Sequence, residues 1–456
     1  MADIRELVRL LNELEEELVA CTRCGMCQAA CPLYGQTGRE TDVARGKIVL
    51  VENLSKEILD NPEAVKERLD RCLLCGSCQA ACPSGVNIFN IFLKARAIIT
   101  GYLGLSPLKK LVFRGFLAHP RRFDQLLRWM ARFQGPFSRQ VNDTLGSSCS
   151  RFISPVVGDR HYLSLVKTPW HQRAQRQLPQ PAGPSGAAGT RIAFYPGCLI
   201  DKVLPRVADA AMKVFDYHGV DVFVAGRIPC CGIPALSAGD RTSFESLLKQ
   251  NVAIYEAQSF DYLVTPCATC TSTIKKLWPM MSDNLPSELR EKVLALSEKT
   301  KDINEFLVDV LGIDLPETQA GGERSVTYHD PCHLKKSLDV ARQPRAILKA
   351  LPGWRFVEMQ EADRCCGMGG SFNLQHYDLS RQIGMKKSQR IIESGADTVA
   401  TGCPACMMQI TDQLSQAGRS IAVRHPVELY AEAIENRAVP ESDAAAKTGK
   451  KAGARW

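Results

Sequence analysis

Two short stretches of this sequence carry the cysteine spacing C-x2-C-x2-C-x3-C-P, between residues 21 and 32 and again between residues 72 and 83. In such a run three thiolates of a tight loop bind one [4Fe–4S] cubane, and the fourth cysteine binds the cluster of the other run. A zinc ribbon is the alternative, but it expects two C-x-x-C pairs rather than two runs of four cysteines. The spacing therefore predicts two cubane clusters. Their predicted ligands are Cys21, Cys24, Cys27 and Cys82 for one cluster, and Cys72, Cys75, Cys78 and Cys31 for the other.

Ten further cysteines form a frame that occurs twice, with equivalent cysteines 134 to 136 residues apart. Each copy has a single cysteine, then Cys-Cys-Gly, then C-x-x-C, and a near-constant offset over five positions indicates one unit used twice. Crowded thiolates repel one another unless a cation or cluster neutralises them, so each copy is a predicted metal site. Buried structural cysteine is the alternative. The predicted ligands are Cys198, Cys230, Cys231, Cys267 and Cys270 in the first copy, and Cys332, Cys365, Cys366, Cys403 and Cys406 in the second.

A β-strand pattern precedes each cysteine group of this frame, and helical stretches at 203–218, 243–257 and 378–393 separate the strands. This alternation is typical of βαβ units and parallel sheets. The loops that follow parallel strands converge at one edge of the sheet, where ligands bind. We therefore expect the five sulfurs of each copy to meet there. The predicted strands are 191–195, 220–224, 262–265, 325–328, 354–359 and 398–401.

The two copies differ at two positions beside the first cysteine. Tyr195 and Leu199 of the first copy correspond to His329 and His333 of the second. An imidazole pair next to a metal site could relay protons or donate hydrogen bonds to sulfur, which makes these histidines candidate catalytic residues. The alternative is helix capping and a core histidine whose hydrogen bonds are satisfied. We expect the second copy to be the more reactive site.

The segments around the cubane runs show helical spacing, at 3–20, at 42–69 with a break and helix start at Asn61-Pro62, and at 87–98. The cluster region is therefore predicted to be a helical ferredoxin-type domain. A linker rich in proline and glycine at 168–190 and a polar, basic tail from about residue 439 suggest further boundaries. The predicted domains are 1–105 for the cubane domain, 106–190 for a connector and linker, 191–320 and 321–437 for the two copies, and 438–456 for a disordered tail.

Residues 102–139 combine apolar side chains with eight lysines and arginines, and Asp124 is their single acid. Such a segment could lie as an interfacial helix on an anionic bilayer or dock a partner. The alternative is a helical connector that packs on its own core and exposes a basic face to solvent.

Composition narrows the possible functions of this chain of 456 residues. The N-terminus lacks a signal-peptide pattern, and no apolar run reaches the length of a membrane span. Of the 19 cysteines only Cys149 lies outside the two patterns, so metal ligation in a reducing cytoplasm is expected rather than disulfides. The net charge of +8 weakly favours an anionic membrane face or an acidic partner. No G-x-G-x-x-G or P-loop follows a predicted strand, so the sequence predicts no nucleotide-binding loop. We also expect no nucleic-acid partner.

Two cubane runs followed by two Cys, Cys-Cys-Gly, C-x-x-C units resemble the CCG (cysteine-rich) family. This family includes iron–sulfur subunits of glycolate oxidase, lactate-utilisation proteins, an iron–sulfur subunit of anaerobic glycerol-3-phosphate dehydrogenase and the catalytic subunit of heterodisulfide reductase. The resemblance covers about residues 15–100 and 190–415. It implies that each five-cysteine set holds a non-cubane [4Fe–4S] cluster or, in a degenerate copy, zinc. It also implies that segment 102–139 is similar to membrane-associating parts of the glycolate and lactate subunits.

Because no sequence feature binds flavin or nicotinamide, the chain is not expected to oxidise a hydroxy acid by itself. The leading hypothesis is an iron–sulfur electron-transfer subunit of an oxidoreductase. It would take electrons from an FAD-containing subunit that oxidises glycolate or D-lactate, and pass them to a quinone or another membrane acceptor, at the inner face of the membrane. A heterodisulfide-reductase-like enzyme that cleaves a disulfide is the alternative. A zinc-stabilised scaffold in which only the cubanes matter is a third possibility.

Overall fold

The computed structural model describes residues 4–152, 158–177, 189–315 and 322–438. Along the chain a helical region comes first, a connector follows, and two α/β units complete the fold, each with its own four-stranded parallel sheet. Buried apolar side chains from all these parts form one continuous core. The predicted fold class is confirmed. The predicted disordered tail lies almost wholly, and the linker partly, outside the described residues.

The N-terminal region is helical, as its spacing predicts. The expected single helix over 3–20 is wrong in one detail, because it is interrupted between Asn12 and Glu15, although Leu7 and Leu18 on its apolar stripe are both buried. At Asn61 the predicted helix start is confirmed, since its side chain accepts a hydrogen bond from the Ala64 N–H. The helices are Ile4–Asn12, Glu15–Val19, Met26–Ala30, Tyr34–Thr37, Ala44–Ser55, Pro62–Asp70, Ser77–Ala80 and Ile88–Leu103, with a 3₁₀ turn at Glu40–Asp42.

A buried arginine joins the helical region to the first α/β unit. Arg96, on the helix Ile88–Leu103, donates hydrogen bonds to the carbonyl of Cys72, at 3.0 Å, and to that of Ser237, at 2.8 Å. The helix packs so closely there that a Cβ on Gly239 would lie 2.5 Å from the Arg96 carbonyl oxygen. Charged hydrogen bonds of this kind are strong when buried. The two regions are therefore fixed to each other close to the second cubane run.

The described part of the connector contains helices and a small sheet. Its helices are followed by a three-stranded antiparallel sheet, which the sequence analysis missed because its strands are short and mostly polar. Cys149 lies in the middle strand, opposite Arg139. The elements are helix Pro107–Lys110, π-helical turn Leu111–Leu117, helix Pro120–Phe137, strands β1 (Ser138–Asn142), β2 (Ser147–Ser150) and β3 (Tyr162–Leu163), and helix Trp170–Gln177.

The lone acid of the basic segment attaches the connector to the first α/β unit. Asp124 is buried and pairs with Lys202 at 3.0 Å, while Lys202 also pairs with Asp201. His171 completes the cluster through a 2.9 Å contact between its Nδ1 and Asp201. Burial lowers the pKa of Lys202, but the two carboxylates outweigh it and leave that pKa raised. A buried ion-pair network thus attaches the helix Pro120–Phe137 to the helix that carries Cys198.

The first α/β unit has a parallel sheet of four strands, β4 (Arg191–Phe194), β5 (Asp221–Val224), β6 (Tyr262–Thr265) and β7 (Thr300–Asp302), in the order β5-β4-β6-β7. Strands β4, β5 and β6 are the three that the sequence predicted, whereas β7 was missed. Its elements are β4 (Arg191–Phe194), Gly197–Lys202, Pro205–Tyr217, β5 (Asp221–Val224), Ile233–Ser237, Arg241–Glu256, β6 (Tyr262–Thr265), Ala268–Ser272, Thr273–Leu277, Trp278–Met280, Ser287–Lys299, β7 (Thr300–Asp302), Ile303–Glu305 and Phe306–Val310.

The second unit repeats this topology, with strand order β9-β8-β10-β11 and every neighbouring pair parallel. Here too the fourth strand, β11, was missed. The shared order is what a duplicated unit predicts. Its elements are β8 (Arg324–Tyr328), Cys332–Leu338, Arg342–Lys349, β9 (Trp354–Phe356), Ser371–Gln375, Tyr377–Glu393, β10 (Thr398–Ala400), Pro404–Gln416, β11 (Ala422–Arg424) and Pro426–Ala438.

Within the described ranges no single helix is long and apolar enough to cross a bilayer. The helix Ile88–Leu103 and the following segment Pro107–Leu117 reach that length and composition only as a pair, which is bent by 113°.

Candidate metal centres

The cysteines of the two N-terminal runs line two separate cavities. One cavity is bounded by Cys21, Cys24, Cys27 and Cys82, with Cys78 from the second run at its edge. Cys24 is exposed to solvent and the other three predicted ligands are half-buried. The cavity thus brings Cys82, the fourth cysteine of the second run, together with the first three cysteines of the first run. Crossed ligation requires that arrangement, and the ligand assignment stays a prediction that the geometry supports.

The second cavity lies deeper and collects Cys31, Cys72, Cys75 and Cys78. Burial raises the pKa of the Cys31 thiol to about 11. The pKa of Cys75 is raised well above its usual value, first by a hydrogen bond with the Cys365 thiol and then by burial. Four thiols in an apolar cavity are costly to ionise without a positive partner, and bound iron would supply that charge. The donor set therefore fits a cluster.

A glycine turns the chain inside each cubane run. Gly25 has φ +90° and Gly76 has φ +69°, and each directly precedes the short helix of its run. Only glycine adopts this left-handed conformation without steric cost. A Cβ at Gly76 would also lie 3.0 Å from the ring of Phe89. The glycines are thus needed for the turn that presents three thiolates to one side.

In the first α/β unit the five cysteines follow strands β4, β5 and β6, in the loops and in the first turns of the next helices, as expected for parallel strands. Cys198 Sγ and Cys230 Sγ are 3.9 Å apart, and the Cys270 N–H points at Cys267 Sγ at 3.4 Å. Cys231 is fixed from behind, because the Trp278 indole N–H donates to its carbonyl at 2.9 Å. The structure thus brings the predicted first set together.

The second unit assembles its five cysteines after strands β8, β9 and β10. Cys366 Sγ and Cys406 Sγ are 3.4 Å apart, and the Gly367 N–H donates to Cys365 Sγ at 3.4 Å. Gly367 has φ +93°, and a Cβ there would lie 2.6 Å from the Ser380 carbonyl oxygen. The glycine of Cys-Cys-Gly is therefore required by both backbone conformation and space.

Neighbouring thiols in each five-cysteine set have pKa values shifted in opposite directions. Hydrogen bonding with Cys230 raises the pKa of Cys198 well above its usual value, and hydrogen bonding from the same Cys230 thiol lowers the pKa of Cys231. In the second unit Cys365 likewise raises the pKa of Cys332 and lowers that of Cys366. The first set thus favours one thiolate, at Cys231, whereas the second set favours two, at Cys366 and Cys403. Binding a positively charged centre would release the remaining protons.

The sets are not isolated from one another. Across the boundary between the two units the Ala268 N–H, next to Cys267, donates to the Gly402 carbonyl oxygen, next to Cys403, at 3.0 Å, and the Cys267 thiol lowers the pKa of Cys403. On its other side the second set touches the deeper cubane cavity through Cys365 and Cys75. The cysteine sets consequently form a row: exposed cubane set, deep cubane set, second five-cysteine set, first five-cysteine set.

His333, one of the two candidate catalytic histidines, has a structural position in this row. Its Nε2 lies 2.8 Å from the Leu74 carbonyl oxygen in the cubane run, and its Nδ1 lies 3.2 Å from Thr269 Oγ1 in the first unit. Thr269 in turn contacts Cys403 Sγ at 3.4 Å. Both ring nitrogens are thus used to join three regions of the chain, and its catalytic role stays a prediction.

His329, the other candidate, is fully buried beside the second set. Its Nδ1 contacts the Ala362 carbonyl oxygen at 3.1 Å, and its Nε2 has no hydrogen-bond partner among the described residues. In the first unit Tyr195 takes the equivalent position and donates its hydroxyl hydrogen to the Pro229 carbonyl oxygen at 2.6 Å. The copies therefore differ in a group that lies against sulfur.

Three lysines beside the sulfurs were missed by sequence reasoning. Lys387 is buried and donates to the Glu361 carbonyl oxygen at 2.6 Å, and burial lowers its pKa to about 8. Burial likewise lowers the pKa of Lys47, which lies close to the deep cubane cavity. Lys336 donates to Ser77 Oγ at 2.6 Å. The partners of Lys336 and Lys387 lie 259 and 26 positions away in sequence, so no local pattern distinguished these two from surface lysines.

Comparison with known proteins identifies the class of protein. The family described as "4Fe-4S dicluster domain" matches residues 17–86, and the one described as "Cysteine-rich domain" (CCG) matches residues 192–275 and 326–411. These matches fall on the cysteine sets described above. The chain belongs to the CCG iron–sulfur proteins, with one dicluster domain and two cysteine-rich domains.

Individual relatives of known name span most of the chain. It is similar to the probable glycolate oxidase iron-sulfur subunit of Bacillus subtilis, 28% identical over 96% of this chain and 100% of the relative. It is also similar to one subunit of the dihydromethanophenazine:CoB–CoM heterodisulfide reductase of Methanosarcina acetivorans, 26% identical over 92% of this chain and 94% of that subunit. Lactate utilization protein A of Oceanobacillus iheyensis is 29% identical over 52% of this chain and 96% of its own.

Proposed function

We propose that this chain is the iron–sulfur electron-transfer subunit of a multi-subunit oxidoreductase. A separate FAD-containing dehydrogenase subunit would oxidise a 2-hydroxy acid of the glycolate or D-lactate type and pass the electrons to this chain. When bound, the clusters supply one-electron redox chemistry. The names of the Bacillus and Oceanobacillus relatives support this substrate class.

The observation that carries the proposal is the row of cysteine sets. Cys75 and Cys365 pack in one buried cluster, and a hydrogen bond from the Ala268 N–H to the Gly402 carbonyl oxygen brings Cys267 and Cys403 together. Neighbouring cysteine sets are therefore adjacent, with no domain between them. His333 and Thr269 tie the same three regions together by hydrogen bonds. Residues that hold redox centres side by side are what an electron-transfer subunit needs.

The two ends of the row differ in their surroundings. At one end Cys24 is exposed, which gives a flavoprotein direct access to the first cubane set. At the other end Cys198 lies on the helix whose Lys202 pairs with Asp124 of the basic connector. We therefore place the flavoprotein at the first end and a quinone or other membrane acceptor near the second.

The connector also supports a peripheral position on the membrane, at its cytoplasmic face. Trp129, Phe133 and Phe137 on the helix Pro120–Phe137 are exposed, and the exposed Arg128 and Arg132 directly precede the first two. Aromatic side chains interleaved with cations suit the interface of an anionic bilayer. We propose that segment 102–139 makes this contact.

The number and type of clusters follow from the donor sets. We propose two cubanes in the N-terminal sets and one further centre, a non-cubane [4Fe–4S] cluster or zinc, in each five-cysteine set. Metal analysis of anaerobically purified protein should give about eight irons if the later sets hold only zinc, and up to about sixteen if both hold clusters. Fewer than about four irons would contradict the cubane assignment.

The proposal is tested by anaerobic affinity purification of the tagged full-length chain, followed by flavin and subunit analysis. A bound FAD protein that reduces the clusters when given glycolate or D-lactate is the expected result. The control is a Cys24→Ala variant, which should retain the deeper centres but lose reduction by the flavoprotein. Clusters reduced by substrate at an unchanged rate in this variant would contradict entry at the exposed end.

An assay of the purified chain without its flavoprotein partner tests the alternative function. The chain alone, reduced by a low-potential dye, should not reduce a heterodisulfide of two small thiols. Turnover of the disulfide without any flavoprotein would instead support a heterodisulfide-reductase-like enzyme, the activity named for the Methanosarcina relative.

A further inference from the structure

His329 presents a ring nitrogen to the sulfurs of the second five-cysteine set. A nitrogen of this ring, Cys366 Sγ and Cys406 Sγ all lie within 4.8 Å of one another, and all three residues are buried. Because Nδ1 contacts the Ala362 carbonyl oxygen, Nε2 is the nitrogen left available, and it has no hydrogen-bond partner in the part of the chain that the structure describes. A buried nitrogen without a partner is costly unless something binds to it.

The hydrogen bond at Nδ1 determines which form of the ring faces the sulfurs. A carbonyl oxygen can only accept, so Nδ1 of His329 must carry the hydrogen. The neutral ring then has its lone pair on Nε2. Metal-binding histidines commonly have this arrangement, in which a backbone carbonyl fixes the tautomer and the other nitrogen binds the metal.

The other histidines near the sulfurs do not offer such a nitrogen. His425 is equally buried beside Cys403, but its Nδ1 accepts a hydrogen bond from the Val427 N–H, so its Nε2 carries the hydrogen. His333 uses both nitrogens, with Leu74 and Thr269. The first unit has Tyr195 in the equivalent place, with its hydroxyl directed to a carbonyl.

We propose that His329 Nε2 is a metal ligand of the second five-cysteine set, so that this centre has mixed sulfur and nitrogen ligation and the first has sulfur alone. Imidazole nitrogen is a good ligand for both iron and zinc, so the inference holds for either metal. It rests on the proposed presence of a metal centre in the second set, but not on the route of the electrons. The two copies of the duplicated unit would thereby hold chemically different centres.

The test is pulsed EPR on the reduced, full-length holoprotein labelled with ¹⁵N-histidine. A strongly coupled histidine nitrogen is expected in the wild type and in His425→Gln, and its loss is expected in His329→Gln and in His329→Tyr, which copies the first unit. Both cubane signals should persist in every variant, which shows that the variants fold. A wild-type spectrum without strong nitrogen coupling, or a coupling that survives His329→Gln, would overturn the proposal.

If the second centre holds zinc, X-ray absorption at the zinc edge replaces pulsed EPR. One nitrogen at about 2.0–2.1 Å beside sulfurs at about 2.3 Å is expected in the wild type, and sulfur alone in His329→Gln. Sulfur alone in the wild type would overturn the proposal. Because both measurements report ligand atoms, they decide the inference even if no flavoprotein partner is found.

Discussion

At the scale of single residues, several buried groups have acid–base properties that their surroundings change. Asp302, at the end of the edge strand β7, is fully buried and accepts hydrogen bonds from the Asn304 backbone and side-chain N–H groups, both at 2.8 Å. Burial nevertheless raises its pKa from 3.8 to about 7. The folded chain therefore binds a proton there more tightly than the unfolded chain does, and stability falls as pH rises from about 4 to about 7.

Substitution Asp302→Asn is expected to stabilise the fold more at pH 8 than at pH 5. Asparagine keeps the acceptor oxygen but never ionises, and a shift of about three pKa units corresponds to about 4 kcal/mol at most. Thermal unfolding of the holoprotein at both pH values measures this. An equal effect of Asp302→Asn at pH 5 and pH 8 would contradict the burial of a charge.

At the scale of elements, the helix Pro120–Phe137 has one buried and one exposed face, and each interpretation of its sequence needs one of these faces. Ala131 and Asp124 are buried against the protein, as a connector requires. Trp129 is 63% exposed and Phe133 48% exposed, as an interfacial helix requires. The composition could not separate these interpretations because one helix has both faces.

The exposed face gives a prediction for membrane binding. Trp129→Ala with Phe133→Ala should weaken binding to vesicles of anionic phospholipid about 100-fold if both rings insert fully, since each large apolar side chain contributes at least about 1.5 kcal/mol and 1.4 kcal/mol is tenfold. Vesicle flotation measures the effect. The matched control is Leu374→Ala with Met385→Ala, two exposed apolar residues of the second unit, which should bind like the wild type. Unchanged flotation of the Trp129/Phe133 variant would show that this face does not bind the membrane.

At the scale of the whole molecule, the row of cysteine sets depends on contacts between distant parts of the chain. His333 meets the carbonyl of Leu74, 259 positions away, and Arg96 meets that of Ser237, 141 positions away. These contacts fix the helical region against both α/β units. The row would be lost if any one part rotated away from the others.

Substitution Cys366→Ala should remove the centre of the second unit and stop electron delivery beyond the cubanes, while both cubane EPR signals remain. The reason is that Cys366 belongs to the second set alone, whereas each cubane set has its own cavity. EPR and stopped-flow reduction measure the two effects. Cys149→Ala, which changes the cysteine outside all four sets, should leave both unchanged. Loss of the cubane signals in Cys366→Ala would show that the sets do not assemble independently.

The sequence by itself determined the grouping of the ligands. Spacing is a local property, and three cysteines within one short run can reach one cluster whatever the rest of the chain does. The alternation of strands and helices likewise predicted two parallel sheets with their cysteines at one edge. The missed strands β1–β3, β7 and β11 are short or lie at a sheet edge, where pairing partners rather than local pattern decide the structure.

Only the tertiary structure decided the order of the four sets and the difference between the histidines. Cys75 and Cys365 are 290 positions apart, and nothing in either run predicts that they touch. His329 and His425 are the same residue type at equal burial, yet a carbonyl faces Nδ1 of one and an N–H faces Nδ1 of the other. The Ala362 carbonyl is 33 positions from His329 and is supplied by the tertiary fold, whereas the Val427 N–H belongs to the helix that starts directly after His425.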